Sequence, residues 1–302
     1  MVKRDDTMRI EKIKIAIASG KGGTGKTFVS TNLFYSLQQQ GVKISLVDCD
    51  AEEPNAQEFF NGELTETIPV TQLVPVIDES KCVFCGKCHD YCNYNAIFFL
   101  GEARMIKVMD ELCHGCGACS VACEFDAISE KEEMLGEVNR YMISENSWLI
   151  EARMKVGVYS PVSVIKAAIR EADDAEVILM DSPPGTSCPF IQTVAKADFV
   201  ILVTEPTPFG LSDLRQSVET LKTMDIPYGV IINRANLGDD GVDKYLQKEN
   251  IPLLLRIPFE RDIASVYSRG ALLCEVQPQW QHHFISLLNQ VKAFYGNSHH
   301  QR

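Results

Sequence analysis

Residues 13–27 read Ile-Lys-Ile-Ala-Ile-Ala-Ser-Gly-Lys-Gly-Gly-Thr-Gly-Lys-Thr. The apolar run Ile13 to Ala18 predicts a short strand. Val29, Leu33 and Leu37 at four-residue spacing predict the helix that follows, with Gly41 at its C-terminal cap. Between strand and helix, Gly20-x4-Gly25-Lys26-Thr27 fits the pattern of a polyphosphate cradle. Glycines let successive backbone N–H groups curl around an anion, and the helix N-terminus adds about half a positive charge. Gly22, Gly23, Thr24 and Gly25 then form the cradle, Lys26 meets the β- and γ-phosphates, and the Thr27 hydroxyl reaches Mg²⁺.

Outward from this stretch the pattern repeats. A second strand is predicted over Lys43 to Val47. After residue 150 come a helix around Val164 to Glu171, strands Val177 to Met180 and Phe199 to Val203, a helix around Leu211 to Met224 and a strand Tyr228 to Ile232. Alternating strands and helices predict an α/β fold with a doubly wound, mostly parallel sheet. Right-handed crossovers place ligands at the carboxyl ends of such strands, where the motifs fall.

At 302 residues, 45% of them hydrophobic, the chain has material for one or two cores, which excludes disorder and coiled coil. Its net charge of −12 argues against nucleic-acid binding, which needs clustered Lys and Arg. The charge is uneven: residues 63–150 carry 15 acidic and 6 basic side chains, −9 of the −12. Eight of the eleven cysteines fall in the same stretch, between Cys82 and Cys123. It reads as a domain inserted at 63–150, near Asn61-Gly62 and Leu149-Ile150, into a discontinuous domain of residues 1–62 and 151–302. The polar start, Met1 to Glu11, carries no secretory signal, and no apolar run approaches a membrane span. A cytoplasmic location is expected.

The insertion repeats itself at an offset of 31 residues. Cys82, Cys85, Cys88 and Cys92 map onto Cys113, Cys116, Cys119 and Cys123, Gly86 onto Gly117, and Ala96-Ile97 onto Ala127-Ile128. Cys-x2-Cys-x2-Cys-x3-Cys is the two-cluster ferredoxin run, in which the fourth cysteine ligates the other cluster. One [4Fe–4S] is expected on Cys82, Cys85, Cys88 and Cys123, the second on Cys113, Cys116, Cys119 and Cys92, in a small α+β ferredoxin-like module. Zinc is the rival, although its structural sites use separated Cys pairs. Disulfides are disfavoured in a cytosolic protein. Where the ferredoxin run ends in Pro, this chain has Asn93 and Glu124. A carboxylate there opposes the arrival of an electron, so Glu124 is expected to lower its cluster's potential. His89 and His114, in the cluster loops, are candidates for N–H bonds to cluster sulfur.

Lys-Gly-Gly-Thr-Gly-Lys-Thr (residues 21–27) resembles the deviant phosphate loop of the MinD/ParA/Mrp ATPases, relatives of the nitrogenase iron protein. The resemblance implies ATP hydrolysis in a nucleotide-sandwiched dimer, with Lys21 reaching the partner subunit's phosphates like an arginine finger. It further implies that Asp50, in Val47-Asp48-Cys49-Asp50, orients the attacking water. Asp48 is expected to help the Mg²⁺ shell, and Asp181, after Val177 to Met180, to hold Mg²⁺ through water. Pro183-Pro184-Gly185 reads as the switch loop, and Asn233-Arg234 resembles the adenine-reading pair. Ile257-Pro258-Phe259 resembles the family's late Ile-Pro loop. With Thr204-Glu205-Pro206-Thr207-Pro208, the whole is similar to MinD-like ATPases with an inserted ferredoxin domain.

Cys188, seven residues after Asp181, has the offset of a cluster-ligating cysteine in the nitrogenase iron protein. Tyr159 stands near the place of that protein's second cysteine, so two subunits would offer two thiolates, and a bridging cluster is disfavoured against a partner-facing thiol or a structural cysteine. Cys49 and Cys274 read as small buried residues. The apolar spacing Trp280, Phe284, Leu287, Leu288, Val291 and Phe294 predicts a core-packing last helix, not a membrane anchor, because only Lys292 is basic within it. His299 and His300 read as a disordered tail. The expectation is an ATPase whose nucleotide-dependent dimer, of identical or paralogous subunits, gates electron transfer through two clusters to a redox partner. The alternatives are cluster delivery to a metalloprotein client, as in Mrp, and a MinD-type positioning switch with redox-sensing clusters.

Overall fold

The computed structural model describes residues 12–172 and 174–299. In chain order the strands are β1 (Ile13–Ala18), β2 (Ile44–Asp48), β3 (Glu63–Ile77), β4 (Ile97–Leu100), β5 (Met105–Val108), β6 (Ile128–Ser144), β7 (Ser147–Met154), β8 (Val177–Asp181), β9 (Phe199–Thr204), β10 (Tyr228–Asn233) and β11 (Leu253–Ile257). The helices are α1 (Lys26–Gln38), α2 (Lys87–Asp90), α3 (Ala118–Ala122), α4 (Val162–Glu171), α5 (Cys188–Val194), α6 (Pro208–Met224), α7 (Gly241–Glu249), α8 (Arg261–Ser268), α9 (Leu273–Val276) and α10 (Gln279–His299). The last helix runs through His299, where a disordered tail was expected; His300 and the polar start Met1 to Glu11 lie outside the described residues.

Nine strands form one sheet in the order β11-β10-β9-β1-β8-β2-β7-β6-β3. From β11 to β7 all neighbours are parallel; β6 and β3 then run antiparallel. The central strands are apolar on both faces because helices cover both, as a parallel sheet requires. Ile13, Ile15 and Ile17 of β1 face α1 and α10, while Ala16 and Ala18 face the core shared with α4 to α7. Phe284, Leu287, Leu288 and Val291 of α10 are buried in that first core, so the last helix packs as its spacing predicts. No described helix is long and apolar enough to cross a membrane.

Only the hairpin β4–β5 of the insertion forms a sheet of its own. β3 and β6, of 15 and 17 residues, pair antiparallel from Glu63↔Met142 out to Ile77↔Ile128 and continue the main sheet as a two-stranded arm. β7, absent from the predicted elements, pairs parallel with β2, Val47↔Ile150 and Asp48↔Glu151. A boundary at residue 150 therefore divides a strand whose Leu149 and Ile150 are wholly buried. The start at residue 63 coincides with β3. The sequence conceals β7 because Glu151 and Arg153 make it look polar. Buried Glu151 is satisfied only in the fold, by Arg153 Nε at 2.8 Å and by Asn139 of β6 at 3.2 Å.

Beyond the arm the 31-residue repeat becomes a pseudo-twofold. Asp78 N donates to Ala127 O and Met109 N to Ala96 O, both at 2.8 Å, equivalent bonds that interchange the two halves. Ile97↔Val108 of the hairpin β4–β5 repeats Ile128↔Ile77 of the arm. Gly86 and Gly117 start α2 and α3 in the left-handed region, φ +80° and +71°.

Candidate functional sites: a phosphate loop and two cysteine-ringed hollows

The loop of residues 19–25 leaves β1 and turns into α1 at Gly25, φ +100°. A Cβ at Gly25 would lie 2.4 Å from Asn233 Nδ2, so both conformation and space demand glycine. No side chain caps α1, so its first N–H groups face the loop, as an anion site requires. The sheet register places the acids: Asp48 of β2 pairs with Asp181 of β8, and Asp181 with Ile17 of β1. Adjacent parallel strands thus carry the phosphate loop and both aspartates to one edge.

Lys26 is buried, and burial lowers its pKa against the opposing pull of Asp181, Asp50 and Asp48. Burial pushes the Asp181 carboxyl up to about 6, with Lys26 and the Thr27 and Ser30 hydroxyls acting to lower it. Asp181 Oδ1 is buried without a hydrogen-bond partner. A buried, orphaned carboxylate oxygen beside Thr27 fits a hydrated Mg²⁺, which takes few protein oxygens and keeps several waters.

Asp48, expected to help the Mg²⁺ shell, is also an acceptor for backbone N–H groups. Its oxygens accept from the backbone N–H groups of Asp50 (3.1 Å), Asn55 and Ala56 (2.9 Å each), so it shapes the loop that carries Asp50. Burial, then Asp181, nonetheless raises it to about 8. Asp50 is half-buried, raised by burial and drawn down by Lys26.

Asn233 acts as a clamp. Its Nδ2 donates to Thr24 O at 2.8 Å and its Oδ1 accepts from Arg234 N at 2.9 Å, which engages both ends of the amide expected to read adenine. Arg234, at φ +53°, directs its guanidinium onto Glu205. Lys21 turns to the same carboxylate, 3.7 Å away. Asn233 and Arg234 also line a cavity of about 810 Å³, its mouth included, with Gly25, Phe28, Phe259 and Tyr267. Tyr267 stacks on Phe59 at 5.2 Å and meets Phe28 edge-on, making one aromatic wall sized for a nucleobase. Phe28, Tyr267 and Glu205 were not legible as site residues; an acid at the carboxyl end of β9 was the one available signal.

In the cysteine module the crosswise ligand sets meet. Cys82, Cys85, Cys88 and Cys123 line one hollow, walled by Ile77, Ile106 and Ile128. Cys92, Cys113, Cys116 and Cys119 line another. Four thiols from two runs, set around one apolar-walled hollow, are a donor set that fits a cluster of iron and sulfide. Backbone N–H groups already point at sulfur: Phe84 N at Cys82 and Gly115 N at Cys113, 3.4 Å each, and Ala96 N at Cys92, 3.3 Å. The histidines do not: His89 Nδ1 pairs with Ile97 O at 2.6 Å, and His114 stacks on Tyr94. Glu124 is ion-paired with Lys87 at 2.6 Å, which offsets the charge expected to lower a potential.

Cys188 is exposed at the start of α5, just past the switch loop, and Tyr159 is exposed too. Cys49 and Cys274 are buried as expected, and burial raises both thiols.

Residues 15–273 match the family model of the CobQ/CobB/MinD/ParA nucleotide-binding domain, and the chain belongs to that family. It is a P-loop ATPase of the MinD/ParA class. Protein MJ0578 of Methanocaldococcus jannaschii is 31% identical over 93% of this chain and 97% of its own length. An iron-sulfur cluster carrier protein of Methanococcus maripaludis is 24% identical over 95% of this chain and 86% of its own. Among solved structures, the septum site-determining protein MinD of Pyrococcus horikoshii, complexed with Mg-ADP, superposes with a TM-score of 0.58 at 22% identity, covering 94% of this chain and 98% of that one.

Proposed function

We propose that the chain is an ATPase whose nucleotide state, in a dimer, controls electron transfer through two [4Fe–4S] clusters to a partner. The observation that carries this is mechanical. Ala51 O, beside Asp50, accepts from Met154 N of β7 at 2.9 Å, and Lys155 N donates to Leu135 O of β6 at 2.8 Å. β6 continues, past a register shift at Leu135, to Ile128 on the wall of the first hollow. The loop that would answer to the γ-phosphate is thus linked, through Met154 and Lys155, to the strand that carries the cysteine module.

In this reading the phosphate-loop N–H groups and Lys26 hold the triphosphate, Thr27 and Asp181 hold Mg²⁺, and Asp50 orients the attacking water. Lys21 reaches the partner subunit's phosphates. The aromatic wall takes the adenine. Bound [4Fe–4S] would supply one-electron transfer; Cys82, Cys85, Cys88 and Cys123 would hold one cluster and Cys92, Cys113, Cys116 and Cys119 the other. Exposed Val83 and Phe125 line the first hollow, in a module of net negative charge, which suits a redox partner with a basic face.

The test is anaerobic. Both midpoint potentials of reconstituted protein are followed by EPR and film voltammetry with ADP, with ATP and with neither, beside Lys21→Ala. A shift of some tens of millivolts with ATP, lost in Lys21→Ala, is expected. Unchanged potentials with hydrolysis intact would reject gating.

A second reading, delivery of a cluster to a metalloprotein client, is favoured by the relatives named iron-sulfur cluster carrier proteins and by exposed Cys188 beside the switch loop. It requires iron to leave the protein for an apo-acceptor in an ATP-dependent way and Cys188→Ser to stop it. A MinD-type positioning role has less support, since the apolar face of α10 is buried in the core.

A further inference from the structure

Glu205 joins three loops. It follows β9, its side chain is only 11% exposed, and it receives Lys21 from the phosphate loop and Arg234 from the turn after β10. Its backbone is held: Glu205 O accepts from Thr207 N at 2.8 Å, and a Cβ at Gly210 would lie 2.3 Å from that oxygen. The two cations are not equivalent. Arg234 makes a close charge-assisted contact, while Lys21 stands off at 3.7 Å with its side chain 35% exposed. If Lys21 leaves, Glu205 and Arg234 remain a neutral pair, so no buried carboxylate is stranded without a counter-charge.

We propose that Glu205 is a positioning residue for hydrolysis. Arg234 is its permanent partner and Lys21 its exchangeable one, so Glu205 holds Lys21 within its own subunit until a second copy of this chain presents a nucleotide triphosphate. Each pairing event must break this contact, which sets how readily subunits associate on ATP. The inference rests on the reading that Lys21 acts across the dimer. It goes beyond that reading by naming what Lys21 must be withdrawn from.

The experiment uses the full, anaerobically reconstituted chain and measures self-association by analytical ultracentrifugation with Mg²⁺ and a non-hydrolysable ATP analogue. Glu205→Gln removes the charge that retains Lys21. It should tighten association by about fivefold for each lysine released, the scale of a partly exposed ion pair. The protein concentration for half-maximal ATPase should fall in parallel. Glu205→Asp, whose shorter side chain keeps its charge for Arg234 but withdraws from the more distant Lys21, should give the same gain. It also serves if the glutamine variant folds poorly. In a Lys21→Ala background both gains must vanish, which a general loosening of the β9–α6 turn would not reproduce. Two results overturn the proposal. If Lys21→Ala abolishes association while neither Glu205 variant tightens it, the retention by Glu205 is wrong and the crossing lysine stands. If Lys21→Ala associates and hydrolyses like the wild type, the crossing lysine falls and the proposal with it.

Discussion

Asp48 and Asp181 hold buried carboxyls whose affinity for a proton is raised, the first to about 8 and the second to about 6. Between the ordinary carboxylate range near 4 and these values the folded chain binds more protons than the unfolded one, so stability falls as pH rises through that window. The thermal midpoint, measured in EDTA without nucleotide, should be higher at pH 6 than at pH 8. Asp48→Asn should flatten that difference and also cost about 1–3 kcal/mol, because one of the three backbone N–H groups loses its acceptor. A midpoint that climbs from pH 6 to pH 8 would contradict the assignment. Mg²⁺ should act in the opposite sense, its affinity rising with pH as Asp181 gives up its proton. The cysteines offer a cleaner residue-scale test. If ligation is crosswise, Cys82→Ser with Cys123→Ser should lose no more iron than either alone, from about eight to about four per chain. Cys92→Ser with Cys123→Ser should lose both clusters. Iron analysis after anaerobic desalting decides it.

β6 and β7 would carry the proposed coupling between the two sites, and Gly136 of β6 lies tightly against β7. A Cβ there would meet Arg153 O at 2.3 Å, Met154 Cα at 2.8 Å and Val164 at 3.0 Å, all on the strand or helix packed against it. Backbone cannot swing aside as a side chain can. Gly136→Ala should therefore cost about 1–3 kcal/mol, seen as a lowered thermal midpoint. Because Gly136 adjoins Leu135, the acceptor for Lys155, any ATP-induced potential shift should shrink in the same variant while nucleotide affinity holds. An unchanged shift would place the coupling elsewhere than the arm. The elements whose apolar period is local, such as β1, α1, β8 and β9, were legible to within a residue or a few. β7 was not, since a strand bearing Glu151 and Arg153 shows its partner only when Asn139 is brought beside it.

The whole molecule separates its charge as it separates its chemistry. The nucleotide edge gathers Lys21, Lys26 and Arg234 around Asp50, Asp181 and Glu205, whereas the 63–150 segment carries −9. Docking of a redox partner on the module should be steered by that field. Its association rate should fall steeply with salt, as the screening length drops from about 30 Å at 0.01 M to about 10 Å at 0.1 M. Stopped-flow reduction by a basic donor protein across that range measures it, and a salt-independent rate would remove electrostatic docking from the account.

The sequence alone determined those parts of this protein whose chemistry is contiguous. A phosphate loop needs its glycines, lysine and threonine within eight residues, and each cysteine run needs four thiols within eleven, so both survive as spacing. The crosswise placing of Cys92 and Cys123 at the two hollows was legible too, because the repeat carries the symmetry. What only the tertiary structure decided depends on partners far apart in the chain. Glu205 joins Lys21 to Arg234, Asn233 reaches back 209 residues to Thr24, Asp48 serves the Asp50 loop, and β3 and β6 extend the main sheet. Backbone pairing and long-range ion pairs use groups common to many residues, so their partners leave no local pattern until the sheet brings them together.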